Sequence, residues 1–219
     1  MRIIELKETV TASNDRDAQV LREDLQRKGT LLVNLMASPG AGKTTLLERT
    51  IRDIQDRYKI AVMEADVDSD VDARRIEKLG AKAVQAHTGG MCHMDAGMTR
   101  RALDELGEER FDLVVLENVG NLICPAEFDT GAGKKVMLLS VPEGDDKPLK
   151  YPLMFTVSDV LVLTKTDVAP YFDFDVEACI RRARGLNPDI EVFQVSSKTG
   201  DGFEAWENWL EKAILDWKK

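Results

Sequence analysis

The stretch Ala37-Ser38-Pro39-Gly40-Ala41-Gly42-Lys43-Thr44 has the residue types and spacing of a phosphate-binding loop. The consensus is a glycine, four residues, then Gly-Lys-Thr/Ser. Gly40 and Gly42 let the backbone wrap closely around phosphate oxygens, so that several N–H groups converge at a helix start. Lys43 would bring a point charge to the outer phosphates and assist catalysis, and the Thr44 hydroxyl would ligate Mg²⁺. The expected phosphate-binding set is Gly40, Ala41, Gly42, Lys43, Thr44 and Thr45. Ala37 stands where the consensus has its first glycine. A chance glycine-rich turn is the plain alternative. The apolar strand before the loop and the helix after it argue against that.

Two further loops bear on the base. The run Val160-Leu161-Val162-Leu163 ends in Thr164-Lys165-Thr166-Asp167, close to the Asn-Lys-x-Asp that reads guanine, with Thr164 in place of Asn. A carboxylate at the Asp167 position accepts from two guanine N–H donors that adenine lacks, and adenine would leave it unpaired. Downstream, Val195-Ser196-Ser197-Lys198 resembles a Ser-Ala-Lys loop that contacts the guanine carbonyl. Thr164, Lys165, Asp167, Ser197 and Lys198 are therefore the expected base contacts, and the nucleotide is expected to be GTP or GDP. A lone Lys-x-Asp is common by chance. Two loops in the right order, each at a strand end, are not.

A third group could sense the γ-phosphate. Leu113 to Leu116 leads into Glu117-Asn118-Val119-Gly120, the form of an Asp-x-x-Gly switch with Glu for Asp. Glu117 could hold Mg²⁺ through water, and the Gly120 N–H could sense the γ-phosphate and be released on hydrolysis. After the second strand comes Asp66-Val67-Asp68-Ser69-Asp70-Val71-Asp72. Asp66 at the strand end and Asp72 are the expected contacts to Mg²⁺ or the attacking water. Asp70 and Asp72 also read well as acidic caps of the next helix.

Soft donors complete the inventory. Met91-Cys92-His93-Met94 follows Gly89-Gly90, and Cys124-Pro125 lies just past the switch. A single cysteine is more often a small buried hydrophobe than a ligand. Cys92 and His93 are adjacent, however, and His93 is one of only two histidines. Thiolates with an imidazole suit Ni²⁺ or Zn²⁺. Three donors from one chain leave such a site incomplete, and two chains meeting at a two-fold axis could complete it. Cys179 shares a helix face with Val176 and Ile180 and reads as core.

These loops need a scaffold. The chain has 219 residues, 43% hydrophobic and 32% charged, enough for one domain with a substantial core. Its formal net charge of −9 disfavours a nucleic-acid partner, which needs clustered cations. Three cysteines give no disulfide framework. No run approaches a membrane span and no signal peptide is recognisable, so no membrane partner and a cytoplasmic location are expected. Helical spacing begins at Asn14, read as a cap, and runs to Lys28. Strands are expected at Leu31–Met36, Ile60–Glu64, Lys82–Ala86, Leu113–Leu116, Val136–Val141, Val160–Leu163 and Val192–Val195. Helices are expected at Lys43–Arg57, Asp70–Leu79, residues 95–106, Glu177–Arg184 and Phe203–Trp217. Such alternation predicts an α/β fold of three layers, a P-loop NTPase fold with a mostly parallel sheet flanked by helices. Ligands there sit beyond the carboxyl ends of the strands, where these motifs fall.

Asn34 to Glu48, Cys92-His93-Met94-Asp95-Ala96, Glu117 to Pro125, Glu143-Gly144-Asp145-Asp146-Lys147-Pro148-Leu149-Lys150-Tyr151-Pro152 and Lys198-Thr199-Gly200 together resemble the HypB family of nickel-incorporation GTPases. The match runs from about residue 14 over nearly the whole chain. The family is similar to the urease accessory and signal-recognition GTPases of the SIMIBI class. The resemblance implies slow GTP hydrolysis, a GTP-favoured homodimer, and nickel handling in [NiFe]-hydrogenase maturation with a HypA-type chaperone and the hydrogenase large subunit. It also implies a metal site of Cys92, His93 and Cys124 at the dimer interface, and a lysine, Lys147 or Lys150, reaching nucleotide across it. Residues 1–30 carry no Cys and no His, so N-terminal nickel storage and a separate metal-binding domain are not expected.

Rival readings are a metallochaperone for urease or a cobalt enzyme, a small-molecule kinase, and a non-catalytic metal scaffold. A urease-type protein would be expected to carry Cys-Pro-His together. A kinase would need an arginine-rich lid, and the Arg181-Arg182-Arg184 cluster reads as a helix face.

Overall fold

The structure, a computed structural model, describes the backbone of residues 6–66 and 71–219 and the side chains of 11–65 and 74–219. Its centre is a seven-stranded sheet built from β1 (Leu31–Ala37), β2 (Ile60–Asp66), β3 (Lys82–His87), β4 (Leu113–Glu117), β5 (Lys134–Ser140), β6 (Val160–Thr164) and β7 (Glu191–Gln194). All neighbouring strands pair in parallel, in the order β3-β2-β4-β1-β5-β6-β7. β1, β4 and β6 are buried along their whole length. That is why they read as unbroken apolar runs rather than as alternating ones.

Alternation does show in the layers. Leu31, Val33, Leu35, Val62, Val115, Leu138 and Val162 pack on one face with α2 (Lys43–Ile54), α3 (Val71–Glu77) and α9 (Phe203–Trp217). Leu32, Met63, Val114 and Leu116 point the other way, onto α1 (Leu6–Lys28) and α4 (Ala96–Glu105). Met36, Met137, Leu139, Leu161 and Leu163 continue that second face under α7 (Pro152–Val157) and α8 (Val176–Leu186). Every strand thus sends successive side chains to opposite layers. The expected three-layer fold is present.

Two expectations need correction. Helix α1 begins at Leu6, well before Asn14, and Asn14 is no cap. Its side chain faces inward, donating to the Asp129 carbonyl at 2.9 Å and accepting from the Ala96 N–H at 2.9 Å. The segment between β4 and α8 also holds short helices that carry too few turns for a period: α5 (Cys124–Glu127), α6 (Lys147–Lys150) and α7. Three-ten turns follow β5 and β6, at Val141–Glu143 and Thr166–Tyr171. Proline at the first turn of α5, α6 and α7 sets where each starts.

Helix α2 carries the phosphate loop, and its hold on the sheet is testable. Leu46 is fully buried against β1 and its neighbours. Leu46→Ala should lower unfolding stability by about 2–5 kcal/mol. Urea denaturation checks this, and an unchanged midpoint would contradict the packing described.

Candidate functional site

The loop between β1 and α2 turns through Gly40 and Gly42, whose φ values of 75° and 98° lie in the left-handed region. It lines a cleft of about 590 Å³ together with Lys43, Thr44, Thr45, Glu117 and Gly120. Glu117 ends β4 on the α2 face, where its Oε1 accepts the Thr44 hydroxyl at 3.0 Å. The Lys43 ammonium stands 3.9 Å from the same oxygen, and both side chains are more than nine-tenths buried. A hydroxyl and a carboxylate so close together form a hard oxygen donor pair, the chemistry Mg²⁺ takes. Gly120 passes so near the loop that an added Cβ would lie 3.0 Å from the Pro39 nitrogen. No other residue fits there without movement.

The loop is braced from outside. Ser38 donates to the Glu143 carboxylate, which also accepts from the Ser140 N–H at 2.8 Å and hydroxyl at 2.6 Å. Thr164 donates to the Ala41 carbonyl at 2.7 Å, and Lys165 Nζ to the Gly40 carbonyl at 2.7 Å. The substitution of Thr for Asn at 164 therefore keeps a tether to the phosphate loop. Lys165 is the one non-glycine with positive φ among the described residues, at 59°. Such a conformation persists only where surrounding structure imposes it.

A second cavity of about 300 Å³ adjoins the loop. Thr164, Lys165, Asp167, Ser197 and Lys198 line it with Ala41 and Thr45. All five residues expected to contact the base are brought together there. Asp167 is held by the Ser196 hydroxyl at 2.8 Å. Ser196, the first serine of the Ser-Ala-Lys-like loop, is itself buried and stands among the residues that hold the base-cavity carboxylate rather than among those that line the cavity.

The three soft donors also meet. Cys92, His93 and Cys124 present ligand atoms that all lie within 4.8 Å of one another. Cys92 Sγ is 3.8 Å from His93 Nδ1. The first two ride the loop between β3 and α4, and Cys124 opens α5. The His93 ring stacks on Phe128 at 3.9 Å, which joins the two arms at the site itself. Asn14 joins them again from behind, through Ala96 and Asp129. Burial lowers the His93 pKa against the opposing charges of Asp95 and Glu127, favouring the neutral imidazole that can ligate a metal. The hydrogen bond that the Cys124 thiol makes to Cys92, followed by burial, raises the Cys124 pKa above its ordinary value.

The side chains of Asp66 and Asp72, and residues Asp68 and Asp70, lie outside the described residues. Lys150 pairs with Asp146, and Lys147 lies 5.8 Å from the Tyr151 ring centroid, both on α6. Arg182 of the expected helix-face cluster reaches Asp145. Glu64, buried on β2 in register with Glu117, also lines the larger cleft and was not foreseen. Its position in an apolar strand with a carboxylate facing inward was the available signal. No helix among the described residues is long and apolar enough to cross a membrane.

Comparison with known proteins identifies the family and the fold. The family described as CobW/HypB/UreG, nucleotide-binding domain, matches residues 31–194. The hydrogenase maturation factor HypB of Azotobacter vinelandii is 48% identical over 211 residues, covering 96% of this chain and 70% of that protein. The crystal structure of HypB from Helicobacter pylori in complex with nickel superposes with a TM-score of 0.88 at 39% identity, covering 94% of this chain and 98% of the other. That of the hydrogenase maturation factor HypB from Archaeoglobus fulgidus gives 0.86 at 41% identity, covering 93% and 99%.

The three thiols should separate by reactivity. Cys92 is exposed and Cys124 half-buried, whereas Cys179 is fully buried and its pKa is pushed up to about 12 by burial and the nearby Asp145 charge. Only the thiolate reacts with alkylating reagents. Maleimide titration at neutral pH should therefore label two thiols in the native protein, Cys92 first, and the third only after denaturation. Rapid native labelling of Cys179 would contradict the packing under β6.

Proposed function

The chain belongs to the CobW/HypB/UreG family, and within it to the HypB hydrogenase maturation factors; from that premise we propose that it is a GTP-hydrolysing carrier that hands nickel to [NiFe]-hydrogenase. The observation that carries the reading is the convergence of Cys92, His93 and Cys124. One of these donors, Cys124, stands four residues beyond Gly120, which lines the larger cleft.

In this reading the backbone of Gly40 to Thr45 cradles the phosphates and Lys43 neutralises their charge. Asp167, Lys165, Thr164, Ser197 and Lys198 hold guanine in the adjoining cavity. Mg²⁺, held by Thr44 and Glu117 with Asp66 as a further ligand, would neutralise charge as the terminal phosphoryl group leaves. Asp72 orients the attacking water, and the Gly120 N–H follows the γ-phosphate. When that phosphate is lost, Gly120 is released, and Cys124 moves with it relative to Cys92 and His93. Nickel is the cargo held between them; zinc fits the same two sulfurs and one nitrogen.

Three donors leave a four-coordinate ion incomplete. A second copy of the chain, associating when GTP is bound, supplies the rest, and Met91 and Ile123 beside the ligands are exposed apolar residues on that surface. The chain acts as one P-loop domain led by α1. A HypA-type chaperone and the hydrogenase large subunit are the partners on either side of the transfer.

The deciding experiment measures GTP turnover and Ni²⁺ affinity in GTP-analogue- and GDP-bound protein, for wild type and Cys92→Ala. Wild type should turn over GTP and bind Ni²⁺ differently in the two states, and Cys92→Ala should lose most of the binding. Equal affinity in both states would remove the coupling, and metal binding without turnover would leave only a scaffold. Independently, Asp167→Asn should weaken GTP by about 100-fold, the loss of two charge-assisted hydrogen bonds, and admit xanthosine triphosphate. An unchanged nucleotide preference would reject guanine recognition by Asp167.

A further inference from the structure

The covalent path from Gly120 to Cys124 accounts for one arm of the metal site only. Cys92 and His93 sit on a different loop, after the edge strand β3. We infer that Asn118 is the positioning residue that carries nucleotide state to this second arm, an inference that rests on the proposed nickel-carrier function.

The argument begins with alternation. Glu117 turns to the α2 face and bonds Thr44, so the next residue turns to the α1/α4 face, where the metal-donor loop lies. Asn118 is almost fully buried there, and its N–H extends the sheet pairing to the Leu35 carbonyl at 3.0 Å. Its side-chain Oδ1 accepts from the Met94 N–H at 3.2 Å, directly after His93, and from the Val119 N–H at 2.9 Å. Its Nδ2 donates to Asn34 Oδ1 at 3.0 Å, on the strand that feeds the phosphate loop.

One planar amide therefore joins β1, the switch and the donor loop. The Val119 N–H and the Met94 N–H share its single oxygen. A movement of Val119 and Gly120 toward or away from phosphate changes how that oxygen is presented to Met94. The Met94 side chain is buried in the α1/α4 core, which anchors the loop beside half-buried His93 and exposed Cys92.

Asn14 supplies the contrast. It also holds the donor loop, at Ala96, and the other arm, at Asp129, through hydrogen bonds that leave the switch untouched. A residue that only braces the site should affect both nucleotide states alike.

The test is Ni²⁺ affinity of the full chain with a non-hydrolysable GTP analogue and with GDP, in wild type, Asn118→Ala and Asn14→Ala. Asn118→Ala should reduce the ratio of the two affinities by about threefold to tenfold, the range set by one buried hydrogen bond. Asn14→Ala should lower both affinities and keep the ratio. A wild-type ratio in Asn118→Ala, or an equal loss of ratio in Asn14→Ala, overturns the inference. A ratio of one in wild type itself would instead remove the coupling in the nickel-carrier reading beneath it. Amide hydrogen exchange at Met94 in wild type needs no variant. Its protection should differ between the two nucleotide states, and equal protection overturns the inference even if Asn118→Ala does not fold.

Discussion

The end of β4 must serve two faces of the sheet within two residues. Glu117 goes with Val115 into the α2 layer and meets Thr44; Asn118 goes the other way and meets Asn34 and the Met94 amide. Both side chains are buried beside apolar strands. In that setting a satisfied hydrogen bond is stronger than at the surface, and an unsatisfied one costs more. The polar partners are therefore held to narrow positions, and a shift of one must be answered by the other. A strand end built this way connects the two layers more directly than any loop could.

The phosphate loop is similarly over-determined. Glu143 grips Ser38, Thr164 grips the Ala41 carbonyl, Lys165 grips the Gly40 carbonyl, and Gly120 packs on Pro39. These partners come from the ends of β4, β5 and β6, the strands that flank or follow β1 in the sheet. Preorganisation of this kind removes part of the ordering cost that a glycine-rich loop would otherwise meet on binding phosphate. It also means that the loop's shape reports on three neighbouring strand ends. The two tethers from Thr164 and Lys165 link phosphate binding to the cavity proposed for the base.

The strands and the longer helices were legible because burial on both faces leaves apolar runs and burial on one face leaves helical spacing. The phosphate loop and the Cys92-His93 pair were legible because their chemistry is contiguous. Contacts between distant segments were not. Asn14 carries the same residue type as a helix cap, and only the folded chain shows it spanning Ala96 and Asp129. Ser196 beside Asp167 and Asn118 beside Met94 are short polar residues whose meaning lies entirely in their partners. The helices from Lys147 to Val157 are four and six residues long, too short for periodicity to declare them. Thr164 looked like a weakened motif, yet its hydroxyl reaches the loop that the motif must hold.

Distance sets how much motion the proposed metal site requires. Two sulfurs on one tetrahedral ion at about 2.3 Å each stand about 3.8 Å apart. The three donors here lie within 4.8 Å of one another. Closing the set around one ion is thus a matter of about 1 Å. The donors belong to two arms: Cys124 follows the switch through the chain, and Cys92 with His93 is anchored by Met94 and Ala96. A bound ion therefore responds to the displacement of one arm relative to the other. The stack of His93 on Phe128 permits this, since rings in contact at 3.9 Å can slide without breaking a directional bond. In the proposed carrier, small movements of one arm against the other would then be sufficient to alter the grip on a metal ion. A large domain motion is unnecessary.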